Sequence, residues 1–109
     1  MKRVFIANCT KNKSPEEIKL DVKSLEKESS NILQEGIRVI GNNEYTKMGD
    51  SSDRSSLKHV GETIYSLINA DVVMFGKNWE TDRECSLIHQ TCLDYGMYII
   101  YSSLSARYK

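Results

Sequence analysis

Residues 4–17 read VFIANCTKNKSPEE, and this stretch decides the fold. Val4-Phe5-Ile6-Ala7 is an all-apolar run, which suits a strand of a parallel sheet covered on both faces. The polar loop Asn8 to Lys13 ends it. Ser14-Pro15-Glu16-Glu17 then carries three helix-start signals at once. Ser14 can cap, Pro15 fits the first helical position, and Glu17 closes a capping box while favouring the positive end of the helix dipole. A buried strand, a polar loop and a capped helix in succession make a βα unit.

Outward from this unit, Ile18, Val22, Leu25, Ile32 and Leu33 fall at helical spacing, with Ser29 filling one step and Gly36 as a stop signal. Ile37 to Ile40 reads as a second strand. Gly41 to Ser56 is a polar loop of a length that compact domains keep for a purpose. Leu57, Val60, Ile64, Leu67 and Ile68 mark a second amphipathic helix. Ala70 to Phe75 is a third strand, followed by the loop Gly76-Lys77-Asn78-Trp79. A third helix is predicted from Asp82 to Tyr95 with Gly96 as its stop, then a fourth strand from Met97 to Tyr101 and a polar tail.

The order β-α-β-α-β-α-β predicts right-handed crossovers and a parallel sheet of four strands in the order 2-1-3-4, with helices on both faces. Residues 1–109 then form one domain, as the length suggests. In such sheets ligands bind outside the carboxyl ends of the strands, where the winding direction reverses. The expected walls of a site are Asn8 to Ser14, Gly41 to Ser56 and Gly76 to Arg83.

Composition narrows the function classes. Apolar residues make up 39% and charged residues 28%, a globular balance. Fifteen basic residues offset fifteen acidic ones, so no global field draws the chain to nucleic acid or a membrane surface. Cys9, Cys85 and Cys92 are odd in number and lack CxxC spacing, which argues against a disulfide framework and a four-ligand zinc site. No metal and no cofactor is expected. With neither a secretory leader nor a membrane-length apolar run in view, the expected location is the cytoplasm. The loop Asn8-Cys9-Thr10-Lys11-Asn12-Lys13-Ser14 offers N–H groups, lysines and hydroxyls that could hold a phosphate, but it lacks the glycines of a nucleoside-triphosphatase loop.

The stretch 69–89, NADVVMFGKNWETDRECSLIH, is the most specific in the chain. It resembles a group of small bacterial and phage proteins placed beside the nucleoside 2-deoxyribosyltransferases. In those, an acidic residue enters an apolar strand, and a tryptophan-acid pair, Ser-Arg-Gly and a helical Glu-His follow. Trp79, Arg83 and His89 fall at matching spacing, and residues 3–12 and 96–101 match the same layout. The resemblance implies a flavodoxin- or Rossmann-like three-layer α/β sandwich and a nucleoside or nucleotide ligand. It also implies a carboxylate nucleophile, immediately before the histidine, that forms a glycosyl-enzyme ester. Ile88 occupies that position here, and Glu84 replaces the glycine after the arginine. Glu84 lies one helical turn before Ile88 and is the alternative carboxylate.

Several side chains read two ways. Trp79 is either a stacking platform for a base or a cap on the core edge. Arg83 opposes the dipole preference at a helix start, which favours an anion-binding role. His89, with no acidic partner in sequence, reads as structural. Ile88, Cys85 and Cys92 form an apolar helical stripe that reads as core. Asp71 caps a strand end or, as the resemblance implies, orients sugar hydroxyls. The expected ligand-binding set is Asn8, Cys9, Thr10, Lys11, Ser14, Asp71, Lys77, Asn78, Trp79 and Arg83.

The expected function is nucleotide binding without catalysis, for instance capture by a phage protein of a host cyclic-nucleotide or ADP-ribose-type immune signal. The alternative is a working nucleoside deoxyribosyltransferase or nucleotide N-glycoside hydrolase that uses Glu84 or another acid. A third class is a structural or protein-interaction module. Association into a dimer or a higher even-numbered assembly is also expected, and the tail 102–108 is placed, by the same resemblance, near a neighbouring subunit's site.

Overall fold

A computed structural model describes residues 1–42 and 56–103. The element order is β1 (Lys2–Ala7), α1 (Pro15–Leu33), β2 (Ile37–Asn42), α2 (Ser56–Ser66), β3 (Val72–Phe75), α3 (Arg83–Asp94) and β4 (Ile99–Tyr101). Single 3-10 turns sit at Leu67–Asn69 and Trp79–Thr81. All strand pairs are parallel and the sheet order is β2-β1-β3-β4, as the alternation predicts. Of the loop expected from Gly41 to Ser56, Gly41 and Asn42 instead extend β2 and Ser56 begins α2; residues 43–55 and 104–109 lie outside the described residues.

Helices cover both faces of the sheet. On one face Val4, Ile6, Val72, Met74 and Ile100 pack with Leu25 of α1. On the other, Phe5, Ala7, Val73 and Phe75 pack with Leu67 and with Cys85, Ile88 and Cys92 of α3. Successive side chains of β1 and β3 therefore enter different cores, which is why both strands are apolar throughout.

Local signals account for the helix ends. Ser14 Oγ accepts from Glu17 N–H at 3.2 Å, and Glu17 Oε1 accepts from Ser14 N–H at 2.8 Å, so the capping box is closed in both directions. Asp82 caps α3 by accepting from Cys85 N–H at 3.0 Å. Gly96 takes a left-handed φ of 66°, and Met97 N–H reaches back to Cys92 C=O at 2.9 Å, a Schellman closure. The end of α1 departs from expectation: Gln34, not Gly36, is the left-handed residue, with φ 57° and ψ 38°. Ser30 donates its hydroxyl to the Glu35 carbonyl at 2.8 Å and supports this earlier stop. The amphipathic pattern of the second helix is also only partly buried. Leu67 is packed, whereas Leu57 and Ile68 stand in solvent.

Candidate functional site at the carboxyl ends of the strands

The chain leaves β1 toward β2 on one side and returns to β3 on the other, so the winding reverses between β1 and β3. The loops after these two strands are bound to each other. Gly76 N–H donates to Ala7 C=O at 2.9 Å. A Cβ at Gly76 would stand 2.8 Å from Leu25 Cδ1 and 2.9 Å from Asn8 Oδ1, so any larger residue requires those two buried side chains to shift. Thr10 N–H donates to Asp82 Oδ2 at 3.3 Å, and Cys9 Sγ lies 3.9 Å from Thr81 Oγ1. One carboxylate, Asp82, thus caps α3 and anchors the first loop.

These bonds occupy much of what the first loop offers a phosphate. Asn8 is buried and donates Nδ2 to Asp21 Oδ2 at 3.4 Å, and Lys13 forms an ion pair with the same carboxylate. Ser14 is engaged in its capping box. Lys11 remains exposed beside Asn12, which is left-handed at φ 60°. On the loop after β3, Lys77 and Asn78 are exposed, and Asn78 C=O accepts from the Thr81 hydroxyl at 2.9 Å. Arg83 is exposed on the first turn of α3, and Glu84 beside it is half-buried.

Trp79 is only 4% exposed and enters an aromatic group at the carboxyl ends of β3 and β4. It stacks on His89 with centroids 4.1 Å apart and planes at 26°, while Phe75 meets it at 5.2 Å. His89 Nε2 and the Tyr101 hydroxyl share a hydrogen bond of 2.7 Å. The indole Nε1–H of Trp79 is buried and finds no acceptor among the described residues. A buried donor left unpaired costs about 1–3 kcal/mol, so it is an exception that needs a physical reason.

Ile88 faces the sheet, fully buried among Phe75, Cys85 and Cys92. The three cysteines are free and buried. Burial pushes the Cys85 thiol far up, with Asp82 adding to it, and burial raises Cys92 to about 11. Neither of these two is a thiolate nucleophile at neutral pH. Asp71 lies elsewhere. It enters β3 at the amino end of the sheet, where Arg3 donates Nε and Nη2 to its two carboxylate oxygens at 3.1 Å each. Arg3 holds that carboxyl down to about 2. The fold therefore groups Asn8, Cys9, Thr10, Lys11, Ser14, Lys77, Asn78, Trp79 and Arg83 at one end of the sheet and sets Asp71 at the other.

Asp82, His89 and Tyr101 join the group without having been singled out as ligand-binding. A signal exists for Tyr101: it ends β4 in register with Phe75 at the end of β3. A shallow cleft of about 480 Å³ between Lys23, Lys27 and Ile37 lies beside the start of β2, away from this group. Among the described residues no cluster of three His, Cys, Asp or Glu side chains could hold a metal ion. Nor is any described helix long and apolar enough to cross a membrane. No family model, no curated protein and no solved structure matches the chain.

Proposed function

We propose that this chain binds a nucleoside or nucleotide at the carboxyl ends of β1, β3 and β4 and leaves its glycosidic bond intact. One observation carries the binding half: the buried, unpaired Trp79 Nε1–H within an aromatic group beside the crossover point. A ligand with carbonyl or phosphoryl oxygens would supply the acceptor that this donor lacks. The resemblance of residues 69–89 to the deoxyribosyltransferase-like proteins supports the same ligand class. The non-catalytic half rests on Ile88, whose side chain is core and carries no nucleophile. In this reading the protein holds a nucleotide signal rather than converting it, as a phage protein would in sequestering a host messenger.

Trp79 is the sole tryptophan, so its fluorescence and its single indole N–H resonance report on the site directly. Titration with nucleoside monophosphates, cyclic dinucleotides and ADP-ribose should move both signals for at least one of them. Arg83→Ala should then weaken the phosphorylated ligand about ten- to a hundredfold and its nucleoside far less, since charge-assisted contacts contribute about 1.5–3 kcal/mol. No response to any of the three classes would refute the proposal. Equal losses for nucleotide and nucleoside would show that Arg83 does not read the phosphate.

A further inference from the structure

The first helix passes the carboxyl ends of β1, β3 and β4 and meets each with one side chain. The ladder sets Ala7, Phe75 and Tyr101 in one row. Gly76 N–H and Ser102 N–H carry the pairing one residue further, to Ala7 C=O at 2.9 Å and Phe75 C=O at 2.8 Å. Asn8, Gly76 and Ser102 therefore form the next row, and all three are buried. Asp21, Leu25 and Glu28 follow at i, i+4 and i+7 on α1 and answer them in turn. Asp21 accepts from Asn8, Leu25 lies against Gly76, and Glu28 takes the end of β4.

The contact at β4 is a clamp. Glu28 Oε1 accepts from the Ser102 hydroxyl at 2.9 Å, and Oε2 accepts from Ser103 N–H at 2.7 Å. Both bonds are charge-assisted, and Ser102 is only 1% exposed, so water screens its bond poorly. Little else holds this strand. It has three residues, stands at the edge of the sheet and pairs with β3 alone. Side chains alternate along a strand, so a backbone fixed at Ser102 from the α1 face sets the direction of Tyr101 on the other face. The Tyr101 hydroxyl meets His89 Nε2 at 2.7 Å, and His89 stacks on Trp79.

We propose that Glu28 is a positioning residue of the strand-end site. By clamping Ser102 and Ser103 it holds Tyr101 to His89 and, through the imidazole, fixes the ring and the N–H of Trp79. The carboxylate lies on the α1 face, opposite the aromatic group, and acts through β4. A site held in this way needs no reordering when a ligand arrives, and preorganisation of that kind raises affinity. That use rests on the nucleotide reading. The clamp itself is read from Trp79 without ligand, so either can fail while the other stands.

The test is the indole Nε1–H resonance of Trp79 in the ligand-free full chain, a single signal because the chain has one tryptophan. Glu28→Ala removes both acceptors and keeps a good helix former. It should move the resonance by more than its linewidth while the far-UV circular dichroism stays unchanged. Glu28→Gln should return the resonance to its wild-type position. Its amide oxygen accepts from Ser103 N–H, and its amide N–H donates to the Ser102 hydroxyl oxygen. Tyr101→Phe breaks the same chain of contacts one step later and should shift the resonance on its own. Adding Glu28→Ala to it should give no further shift, as expected of residues that act in series. Ser30→Ala loosens the end of the same helix by removing its bond to the Glu35 carbonyl, and should leave the signal in place. A resonance unmoved by Glu28→Ala, a Glu28→Gln that shifts as far as the alanine, or full additivity with Tyr101→Phe overturns the proposal. So does an equal shift in Ser30→Ala, which would mean that any loosening of α1 reaches Trp79.

Discussion

Ile88→Glu should come close to unfolding the protein rather than restore a nucleophile to it. The side chain lies wholly inside the core between α3 and the sheet, in contact distance of an all-apolar group that includes Phe75 and Cys92. A carboxylate there loses its hydration and finds no cation among those neighbours. The expected loss is at least about 4 kcal/mol, against a total of about 5–15 kcal/mol for a domain of ordinary stability. The pH dependence has a definite sign. Burial raises the folded-state pKa of the introduced glutamic acid above its unfolded value, so the folded state holds the extra proton. The variant is then least destabilised at acid pH and loses stability as pH rises toward its folded-state pKa. Urea titrations at pH 5 and pH 7 measure this. A variant as stable as the wild type at pH 7 would show that position 88 opens to a polar space.

The second large effect concerns Trp79. Trp79→Ala removes a ring that contacts Phe75, His89 and Tyr101, and should lower stability by about 3–5 kcal/mol. Trp79→Phe keeps a ring in the stack and removes the unpaired N–H, so much of the lost area is offset by relief of a buried, unsatisfied donor. Its cost should stay below about 1.5 kcal/mol. The contrast separates packing from polarity at one position. Equal losses for the two variants in chemical denaturation would mean that the N–H finds an acceptor, such as a buried water, in the ligand-free protein.

Most of the fold was legible because short-range chemistry specified it. Ser14, Pro15 and Glu17 mark the start of α1, and Asp82 and Gly96 bracket α3, through bonds made within a few residues. Strand order followed from alternation alone, since crossovers leave few arrangements. The end of α1 was less legible: Gly36 is the better stop by propensity, yet Gln34 takes the left-handed turn because Ser30 satisfies the Glu35 carbonyl just beyond it. Leu57 and Ile68 fit a helical period and still face solvent, because periodicity gives the width of an apolar arc but not how much of it the rest of the chain covers.

The site was legible in part. The strand-end rule gathered the loops after β1 and β3, and the structure ties them together through Asp82 and Gly76. Asp71 was drawn in by its place in a motif, but it enters β3 rather than leaves it, which puts it beside Arg3 at the far end of the sheet. His89 was read as structural and Tyr101 only as a strand end, because their bond spans twelve residues and two elements and no local pattern announces a contact between a helix and the end of the next strand.

The most direct test of nucleotide capture without chemistry is the fate of a bound ligand. Purified protein, loaded with whichever of the deoxynucleoside monophosphates, cyclic dinucleotides or ADP-ribose moves the Trp79 signals, should be denatured after long incubation and the released ligand identified by mass. With Ile88 in the core and Asp82 held as a helix cap, binding is expected to stabilise the ground state without speeding bond cleavage. The predicted result is stoichiometric recovery of the intact ligand with no free base. Multiple-turnover release of free base that disappears in Glu84→Gln would contradict it and assign the chain to glycosidic-bond chemistry.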